Sequence, residues 1–421
     1  MGIDRRDFLK LAAAAGFVVA GPTALPRPAR ADGPYAGPFW VTIHAGGGWD
    51  PTLLCDPKGR DGEDDLEPIN TFDRGDIESV GPFEFAPVEG HRAFFERFRD
   101  ELLVINGVDT GTNSHDTGTR HIWSGGFDAN MPSIAALMAA AQGQTPALGY
   151  LTFGGYDHTD QLVAPTRIPT VSAINEIAFP HRMDPGSAES LALRPEDYDR
   201  IAAARAARLD RLGGHSSLPR EQRSMSVLFE ARGADNELAR LTDALPSDLD
   251  DSNNPLRRQA ELACASFASG LTISANLTVG GFDTHGDHDN RHTPRIQQVL
   301  EGIAHLWDEA ERQGIADQLV VMVGSDFART PWYNDTNGKD HWSITSMMLM
   351  GRGIRGGRVI GATDENQLPR TINPNTLALD DSGVRITPGH IHAAIRRLGG
   401  IEDHPLAAPY GLEGDFIDLL G

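Results

Sequence analysis

The sequence of 421 residues contains only two cysteines, Cys55 and Cys264. So few thiols exclude a disulfide framework of the kind that small secreted domains use, and they exclude a metal cluster held by several thiolates. A single disulfide between the two residues is the most that the sequence allows, and the sequence does not decide whether it forms. Any metal site therefore has to rely on other ligand types.

Positive charge and long apolar runs are also scarce. With 37 Lys+Arg against 59 Asp+Glu, the formal net charge is −22. An acidic surface repels phosphate groups, which argues against a nucleic-acid scaffold and against a binder of anionic membranes. The apolar run at residues 11–20 is shorter than the roughly 20 residues of a membrane-spanning helix, and no later segment is apolar enough. We therefore predict a globular mature chain with no integral membrane span and no nucleic-acid partner.

The first 31 residues are typical of an export signal. The pair Arg5-Arg6 precedes Phe8-Leu9-Lys10, the apolar run follows, and Ala29-Arg30-Ala31 provides an A-x-A cleavage site. The arginine pair resembles the bacterial twin-arginine signal. We expect export through the twin-arginine machinery, cleavage after Ala31, and a mature domain of residues 32–421 in the periplasm or outside the cell. An uncleaved anchor is the alternative.

Strand-like and helix-like segments alternate along the mature chain. Strand-like runs begin at Phe39, Leu102, Thr272, Gln318 and Ser346. Helical patterns lie at residues 94–98, 117–123, 256–271, 294–313 and 386–398. This alternation predicts an α/β domain with a mostly parallel central sheet and helices on both faces. Residues 185–245, rich in Ala, Arg, Leu and Glu, predict a helical insertion in that domain.

Acidic residues and histidines recur where the predicted strands end. They are Asp50, Asp283, His285, His288 and Asp326, with His341 in the loop before the last strand. Ligands of open α/β sheets bind beyond the carboxyl ends of the strands. Carboxylates and imidazoles suit Zn²⁺, with Mn²⁺ or Fe as alternatives. Taken singly, each residue is better explained as a helix cap or a solvated side chain, and only their recurrence favours a metal site.

The number of ions follows from how many of these strand ends converge. One cluster would hold one divalent ion. Four converging strand ends would allow two ions about 4 Å apart, an arrangement that clamps both oxygens of an in-line displacement at phosphorus or sulfur. The sequence therefore predicts one or two divalent ions.

Six sequence motifs together resemble a known family. They are Gly47-Gly48-Trp49-Asp50, Asn113-Ser114-His115, Gly281-Phe282-Asp283-Thr284-His285, Ser325-Asp326-Phe327-Ala328-Arg329-Thr330, Gly338-Lys339-Asp340-His341-Trp342 and Gly361-Ala362-Thr363-Asp364. The chain resembles a bacterial family of exported proteins, domain of unknown function 1501, which is similar in fold to the alkaline phosphatase and sulfatase superfamily. The resemblance spans most of residues 39–400. It implies a metal-dependent hydrolase of phosphate or sulfate esters, acting on a small anionic ester.

The resemblance also implies the ligands of each ion. It assigns one ion to Asp283, His341 and either His285 or His288. It assigns a second ion to Asp50 and Asp326.

The same resemblance implies the groups that act on the substrate. Ser114, or His115 beside it, would lie at the start of a helix as the nucleophile, where the helix N-terminus favours the transferred anion. Arg329 or Arg120 would clamp a non-bridging oxygen of the ester.

One departure from the family pattern supports an alternative function. Active phosphatases of the superfamily carry histidine after the strand-end aspartate, where this sequence has Phe327. The loss of that ligand allows a catalytically silent relative of the same fold that binds a metal or another ligand. A substrate-binding protein whose insertion closes over a ligand is a further alternative. Turnover of an ester, or its absence in metal-loaded protein, separates these functions.

Overall fold

The computed structural model describes most of residues 32–421. The described residues are 35, 37–62, 68–142, 149–168, 175, 178–179, 181–184, 187–213, 239–246 and 248–421. The predicted export signal, with its cleavage site, lies outside the described residues. So does part of the predicted insertion, residues 185–186 and 214–238.

Eight of the twelve strands in the described residues belong to one sheet. They are β1 (Phe39–Gly46), β2 (Glu78–Val80), β3 (Phe83–Phe85), β4 (Leu102–Asp109), β5 (Tyr150–Thr152), β6 (Pro165–Thr166), β7 (Ser274–Gly280), β8 (Leu319–Ser325), β9 (Ala328–Arg329), β10 (His341–Trp342), β11 (Ile344–Gly351) and β12 (Arg358–Ile360). The eight-stranded sheet has the order β12-β4-β11-β8-β1-β7-β5-β6. Two antiparallel pairs, β2 with β3 and β9 with β10, lie outside it.

The central sheet is parallel except at one strand. Strand β1 pairs in parallel with β7 on one side and with β8 on the other, and only β11 among the described strands of this sheet runs against its neighbours. The predicted mostly parallel sheet is therefore confirmed. Because β11 is antiparallel, its first residue, Ile344, lies at the edge where the parallel strands end. That reversal brings the loop before β11 to the same edge as the other strand ends.

The helices cover both faces of this sheet. They are α1 (His91–Phe98), α2 (His115–Ser124), α3 (Ile134–Ala141), α4 (Pro195–Gly213), α5 (Ala239–Ala244), α6 (Pro255–Ala268), α7 (His288–Arg312) and α8 (Pro388–Leu398). Helices α4 and α5 lie within the stretch predicted to be a helical insertion. In the described part of the chain, no helix combines the length and the apolar character needed to cross a membrane.

Successive side chains of β1 enter two different cores, as expected for a strand buried on both faces. Val41 and Ile43 lie in the core that α6 and α7 cover. Trp40 lies in the core that α2 and α8 cover. Each fully buried aliphatic side chain contributes roughly 1.5–3 kcal/mol through removal from water, so these cores stabilise the sheet edge that carries the polar residues.

Two expectations are settled by the coordinates. Cys55 and Cys264 are both buried and both free, so the disulfide that the sequence allows is not formed. The helix predicted to begin at Pro294 begins six residues earlier, at His288, with the proline inside it. The polar run from His288 to His292 lacks apolar periodicity, so apolar periodicity did not extend the predicted helix to it. This earlier start brings His288 and His292 into the protein interior on one helix face.

Candidate metal centre

The candidate site lies at the carboxyl edge of the parallel strands. Strand β7 leads to Asp283, β8 leads to Asp326, and β4 leads through a short loop to His115 at the start of α2. Strand β10 carries His341 and pairs with β9, which puts His341 opposite Arg329. Residues from distant parts of the chain meet here because the sheet brings these strand ends together.

Three imidazoles converge on one carboxylate oxygen. The Nε2 atoms of His285, His341 and His115 lie 3.0, 3.3 and 3.6 Å from Oδ1 of Asp283. We call these four residues the open cluster, because their side chains are between 23% and 49% exposed. Potential ligand atoms of Asp283, His115 and His341 all lie within 4.8 Å of one another.

Each histidine of the open cluster is oriented through its other ring nitrogen. Nδ1 of His115 lies 2.6 Å from Oδ2 of Asp326, and Nδ1 of His285 lies 2.7 Å from Oδ1 of Asp340. Nδ1 of His341 lies 2.8 Å from the carbonyl oxygen of Asn113. These partners are hydrogen-bond acceptors, so each Nδ1 donates its proton. In the neutral tautomer each Nε2 then carries a lone pair.

The lone pairs of the open cluster point toward one another. Nε2 of His285 and Nε2 of His341 are 3.0 Å apart, and Nε2 of His115 has no hydrogen-bond partner among the described residues. A carboxylate oxygen and three imidazole lone pairs in so small a space repel one another unless a cation lies between them. Histidines oriented through Nδ1 by a carboxylate or a carbonyl are typical of metal sites. The donor set therefore fits a divalent ion with nitrogen and oxygen ligands, such as Zn²⁺.

Asp326, predicted as a ligand of a second ion, accepts the hydrogen bond from Nδ1 of His115 in this structure. Besides His115, its carboxylate accepts a hydrogen bond from the backbone N–H of Gly47 at 3.1 Å and lies 3.4 Å from Nε2 of His44. Trp123 Nε1 donates to Nδ1 of His44 at 2.9 Å, so the His44 proton sits on Nε2, toward Asp326. Burial, the largest single influence, acts to raise the pKa of Asp326, but His115, His44 and the Gly47 N–H together outweigh it, and the pKa is lowered.

Arg329 is a positioning residue in this structure. Its side chain is fully buried, and its guanidinium donates to the carbonyls of Gly47, Gly48 and Lys339 and, at 2.7 Å, to Oδ1 of Asp283. Burial acts to raise the pKa of Asp283, but the hydrogen bond and charge of Arg329, together with the imidazoles of His341 and His285, outweigh it and lower that pKa to about 2. A buried guanidinium with these partners is not free to clamp a substrate oxygen.

The other residue predicted to clamp the ester, Arg120, points elsewhere. Its guanidinium donates to the carbonyl oxygen of Phe127 at 3.0 Å. Neither of the two arginines proposed from the sequence is therefore placed to bind an anion at the open cluster.

Ser114 lies at the N-cap position of α2, next to His115. Its side chain is exposed, and its hydroxyl makes no capping hydrogen bond to the helix. The carbonyl of the preceding residue, Asn113, accepts the hydrogen bond from His341. The backbone on either side of Ser114 is thus tied to the open cluster, while the Ser114 hydroxyl is not used by the helix.

Asp50 and His288 lie in a second cluster that is fully buried. Nζ of Lys339 is 2.6 Å from Oδ2 of Asp50, and Nε2 of His288 is 3.1 Å from the same oxygen. The backbone N–H of Asp50 donates to Nε2 of His292 at 2.8 Å. We call Asp50, His288, His292 and Lys339 the buried cluster. Asp50 is thus held by the buried cluster, whereas Asp326, the other predicted ligand of a second ion, is hydrogen-bonded to His115 and to the Gly47 N–H.

Burial also shifts the pKa of the two histidines in the buried cluster. Removal from water lowers the pKa of His288 and lowers that of His292 well below its usual value. In contrast, the hydrogen bond to Asp326 raises the pKa of His115 in the open cluster.

Phe327 packs beneath the open cluster. Its ring centroid lies 4.8 Å from that of His115 and 4.6 Å from that of His341, and the side chain is fully buried. Where the superfamily pattern has a ligand, this protein therefore has an apolar support for two of the histidines. Gly47, with φ of +117°, permits the close approach to Asp283, because a Cβ there would lie 2.5 Å from the Asp283 nitrogen.

Sequence reasoning missed several residues of both clusters. His44 and Asp340 orient cluster groups through hydrogen bonds, and His292 and Lys339 complete the buried cluster. Lys339 and Asp340 lie inside a motif that was identified without a role for either residue. The spacing of His288 and His292, four residues apart, was the one available signal that both lie on one helix face.

Comparison with solved structures gives distant likenesses. The chain is similar to the lipoteichoic acid synthase LtaP from Listeria monocytogenes, with 8% identity, coverage of 91% of this chain and 75% of the other, and a TM-score of 0.37. It is also similar to the phosphonate monoester hydrolase of Agrobacterium radiobacter. The identity is 11%, the match covers 90% of this chain and 78% of the other, and the TM-score is 0.35. A third similar structure is the PsFucS1 sulfatase from Pseudoalteromonas sp., with 10% identity, coverage of 91% of this chain and 72% of the other, and a TM-score of 0.36. Likenesses this distant carry no argument about activity.

Comparison of the sequence itself is more specific. No curated protein matches it. A family described as "Protein of unknown function (DUF1501)" matches residues 226–412. These residues contain Asp283, His285, Asp326 and His341. The resemblance stated from the motifs is thus confirmed over residues 226–412 of the chain.

Proposed function

We propose that the protein is an exported, metal-dependent hydrolase of phosphate or sulfate esters. The observation that carries the proposal is the convergence of three imidazole Nε2 atoms on Oδ1 of Asp283 in a solvent-facing position. The sequence motifs support the choice of esters, because they resemble a family related in fold to phosphatases and sulfatases. The substrate would be a small anionic ester.

In this proposal, His115, Asp283, His285 and His341 hold one divalent ion. Such an ion supplies Lewis-acid stabilisation of charge on the oxygens of the ester. Asp326 and Asp340 keep the rings of His115 and His285 oriented, because each accepts the Nδ1 proton of its histidine. Arg329 fixes the Asp283 carboxylate through its hydrogen bond to Oδ1.

Ser114 is the proposed nucleophile. Its Oγ would form the new bond to phosphorus or sulfur as the bond to the alcohol breaks, the hydroxyl proton ending on the departing alcohol oxygen. Water would then attack the ester of Ser114, releasing the acid and returning a proton to Oγ. The start of α2 favours an anion there, since the first N–H groups of a helix lack intrahelical partners. The unused hydroxyl and its position between Asn113 and His115 support this role.

The test combines metal analysis with ester hydrolysis. We expect purified mature protein loaded with Zn²⁺ to hydrolyse phosphate or sulfate monoesters, and the variants Asp283→Ala, Asp326→Ala and His341→Ala to lose both metal and turnover. Ser114→Ala should keep the metal and lose turnover. Exposed His158 is a matched control, and His158→Ala should change neither. Turnover that persists in both Asp283→Ala and His341→Ala would contradict the proposal.

A second candidate function is supported by the position of Arg329. With this guanidinium buried and hydrogen-bonded to protein groups, the structure supports a silent relative that binds a metal without turning over esters. Zn²⁺ bound by the wild type, with no turnover across a panel of phosphate and sulfate monoesters, would establish this function. Turnover abolished by Ser114→Ala would exclude it.

Export is the remaining part of the proposal and rests on the first 31 residues of the sequence. Replacement of Arg5 and Arg6 by lysine should retain the protein in the cytoplasm of an expressing bacterium, because the twin-arginine route requires the pair. The exported wild type should begin at Asp32 by N-terminal sequencing. Export of the double-lysine variant at the wild-type level would contradict this route.

A further inference from the structure

The hydrogen bonds of the buried cluster form a closed ring that begins and ends at Asp50. The Asp50 N–H donates to Nε2 of His292, which leaves the His292 proton on Nδ1, 3.0 Å from Oγ1 of Thr284. Thr284 Oγ1 is 2.7 Å from Nδ1 of His288, and Nε2 of His288 is 3.1 Å from Oδ2 of Asp50. If Thr284 donates to His288, every proton has one acceptor and both histidines are neutral.

The Asp50 carboxylate is saturated by further donors. Oδ1 accepts from the backbone N–H of Thr52 at 2.9 Å and from the Thr52 hydroxyl at 2.6 Å. Oδ2 accepts from Nζ of Lys339 at 2.6 Å, and that ammonium also binds Oδ1 of Asn70 at 2.8 Å. The side chains of Asp50, His288 and Lys339 are all 0% exposed. The ring leaves no nitrogen lone pair of its histidines for a metal.

From this saturation we infer that the Lys339 ammonium takes the place of a second metal ion at Asp50, so that the centre binds a single divalent ion. The inference rests on the proposed function only in that the open cluster holds a metal. The sequence resemblance assigned a second ion to Asp50, and a carboxylate buried without a cation would be very costly. Lys339 supplies that cation from within the chain. A divalent ion beside the ammonium would be repelled and would find no free ligand.

Lys339 also connects the buried cluster to the segments that carry the metal ligands. Its backbone N–H donates to the carbonyl of Thr284 at 3.1 Å, between Asp283 and His285. Its carbonyl accepts from Nη1 of Arg329 at 3.0 Å. With the side chain fixed at Asp50, these bonds tie the segment of Asp283 to the segment of His341. Lys339 is thus a positioning residue for the open cluster as well as the internal cation of Asp50.

The test is the number of Zn²⁺ ions bound per chain. Wild-type mature protein would be equilibrated by dialysis with a slight excess of Zn²⁺, and protein-bound zinc would be measured by mass spectrometry against protein concentration. We expect one ion per chain in the wild type, none in His341→Ala, and one in Asp50→Asn. Two ions in the wild type, with one lost in Asp50→Asn, would overturn the inference.

The outcomes separate this inference from the proposed function. One bound ion without ester turnover would contradict the proposed function and support the inference. Two bound ions with ester turnover would support the proposed function and contradict the inference. A wild type that binds no Zn²⁺ would contradict the proposed function and the inference alike. If Asp50→Asn does not fold, anomalous diffraction from crystals of the zinc-loaded wild type decides whether a second ion lies at Asp50.

Discussion

The open and buried clusters use the same residue types at the same edge of the sheet, yet they differ in how many ring nitrogens have a protein partner. In the open cluster each Nδ1 is bound and the Nε2 atoms converge around Asp283. In the buried cluster both nitrogens of each histidine are bound, and Lys339 neutralises the carboxylate. Proximity of aspartate and histidine is thus insufficient to define a metal site; unused lone pairs with access to solvent are also required.

The buried ion pair should respond most strongly to substitution. In Lys339→Met the Asp50 carboxylate loses its cation in a place without water, and we expect a loss of about 3–5 kcal/mol in unfolding free energy by urea titration. Lys58→Met is the matched control. Its ammonium pairs with Asp56 at 3.0 Å and stays partly exposed, so a loss of about 1 kcal/mol is expected.

The double variant sharpens this result. If the cost of Lys339→Met is the unpaired charge, adding Asp50→Asn should recover about 1–3 kcal/mol relative to the sum of the single losses. Strictly additive losses would show that the two charges do not stabilise one another, and the description of the buried cluster as an ion pair would be wrong.

Removal of one imidazole from the open cluster should affect metal affinity more than stability. We expect His285→Ala to weaken Zn²⁺ binding at least about 100-fold in competition with a chelator, because loss of a ligand exceeds the effect of losing its hydrogen-bond partner. Because the ring is half exposed, metal-free protein should unfold close to the wild-type midpoint. Wild-type affinity in the variant would remove His285 from the proposed site.

The hydrogen-bond partner of the same ligand should have a smaller effect. Asp340→Asn weakens the acceptor that orients His285, and we expect Zn²⁺ affinity to fall roughly 10- to 100-fold. Asp335→Asn, an exposed change in the same loop, is the control and should have no effect. Equal losses in the two variants would indicate a general effect of charge near the site.

The smallest expected difference between the two clusters is in the pKa of one histidine from each. In metal-free protein, the hydrogen bond to Asp326 raises the pKa of His115 above 6.5, whereas burial lowers that of His292 well below it. The His115 contribution to stability is therefore present below pH 6.5 and lost as pH rises through its raised pKa. The His292 contribution is present above pH 6.5 and lost as pH falls through its lowered pKa. We expect the imidazole NMR signals of His115 to titrate at a higher pH than those of His292. Titration of both residues over the same pH range would contradict this difference.

The fold was largely predictable because its strands carry local signals. Apolar β-rich runs such as that of β1 predict buried parallel strands, and the sheet confirms them. The reversed direction of β11 has no local signal, since its residues would suit either direction. The start of α7 also escaped prediction, because hydrogen bonds and packing from other segments, not apolar periodicity, hold its first turns in the interior.

The site was predictable as a set of residue types but not as an arrangement. Strand-end positions identify Asp283 and His285 as candidates, and a polar loop identifies His341; the structure brings these three together. Asp50 instead binds His288 and Lys339 through side-chain contacts that no spacing in the sequence encodes. The motif that contains Arg329 predicts a residue that binds the substrate. Only the structure shows that its guanidinium is buried and paired with Asp283.

The most direct test of the whole account is anomalous diffraction at the zinc edge from crystals of Zn²⁺-loaded protein. We predict one anomalous peak, at about 2.0–2.2 Å from Oδ1 of Asp283 and from Nε2 of His115, His285 and His341. No peak should lie at Asp50. A peak at Asp50, or none within coordination distance of the open cluster, would contradict the account.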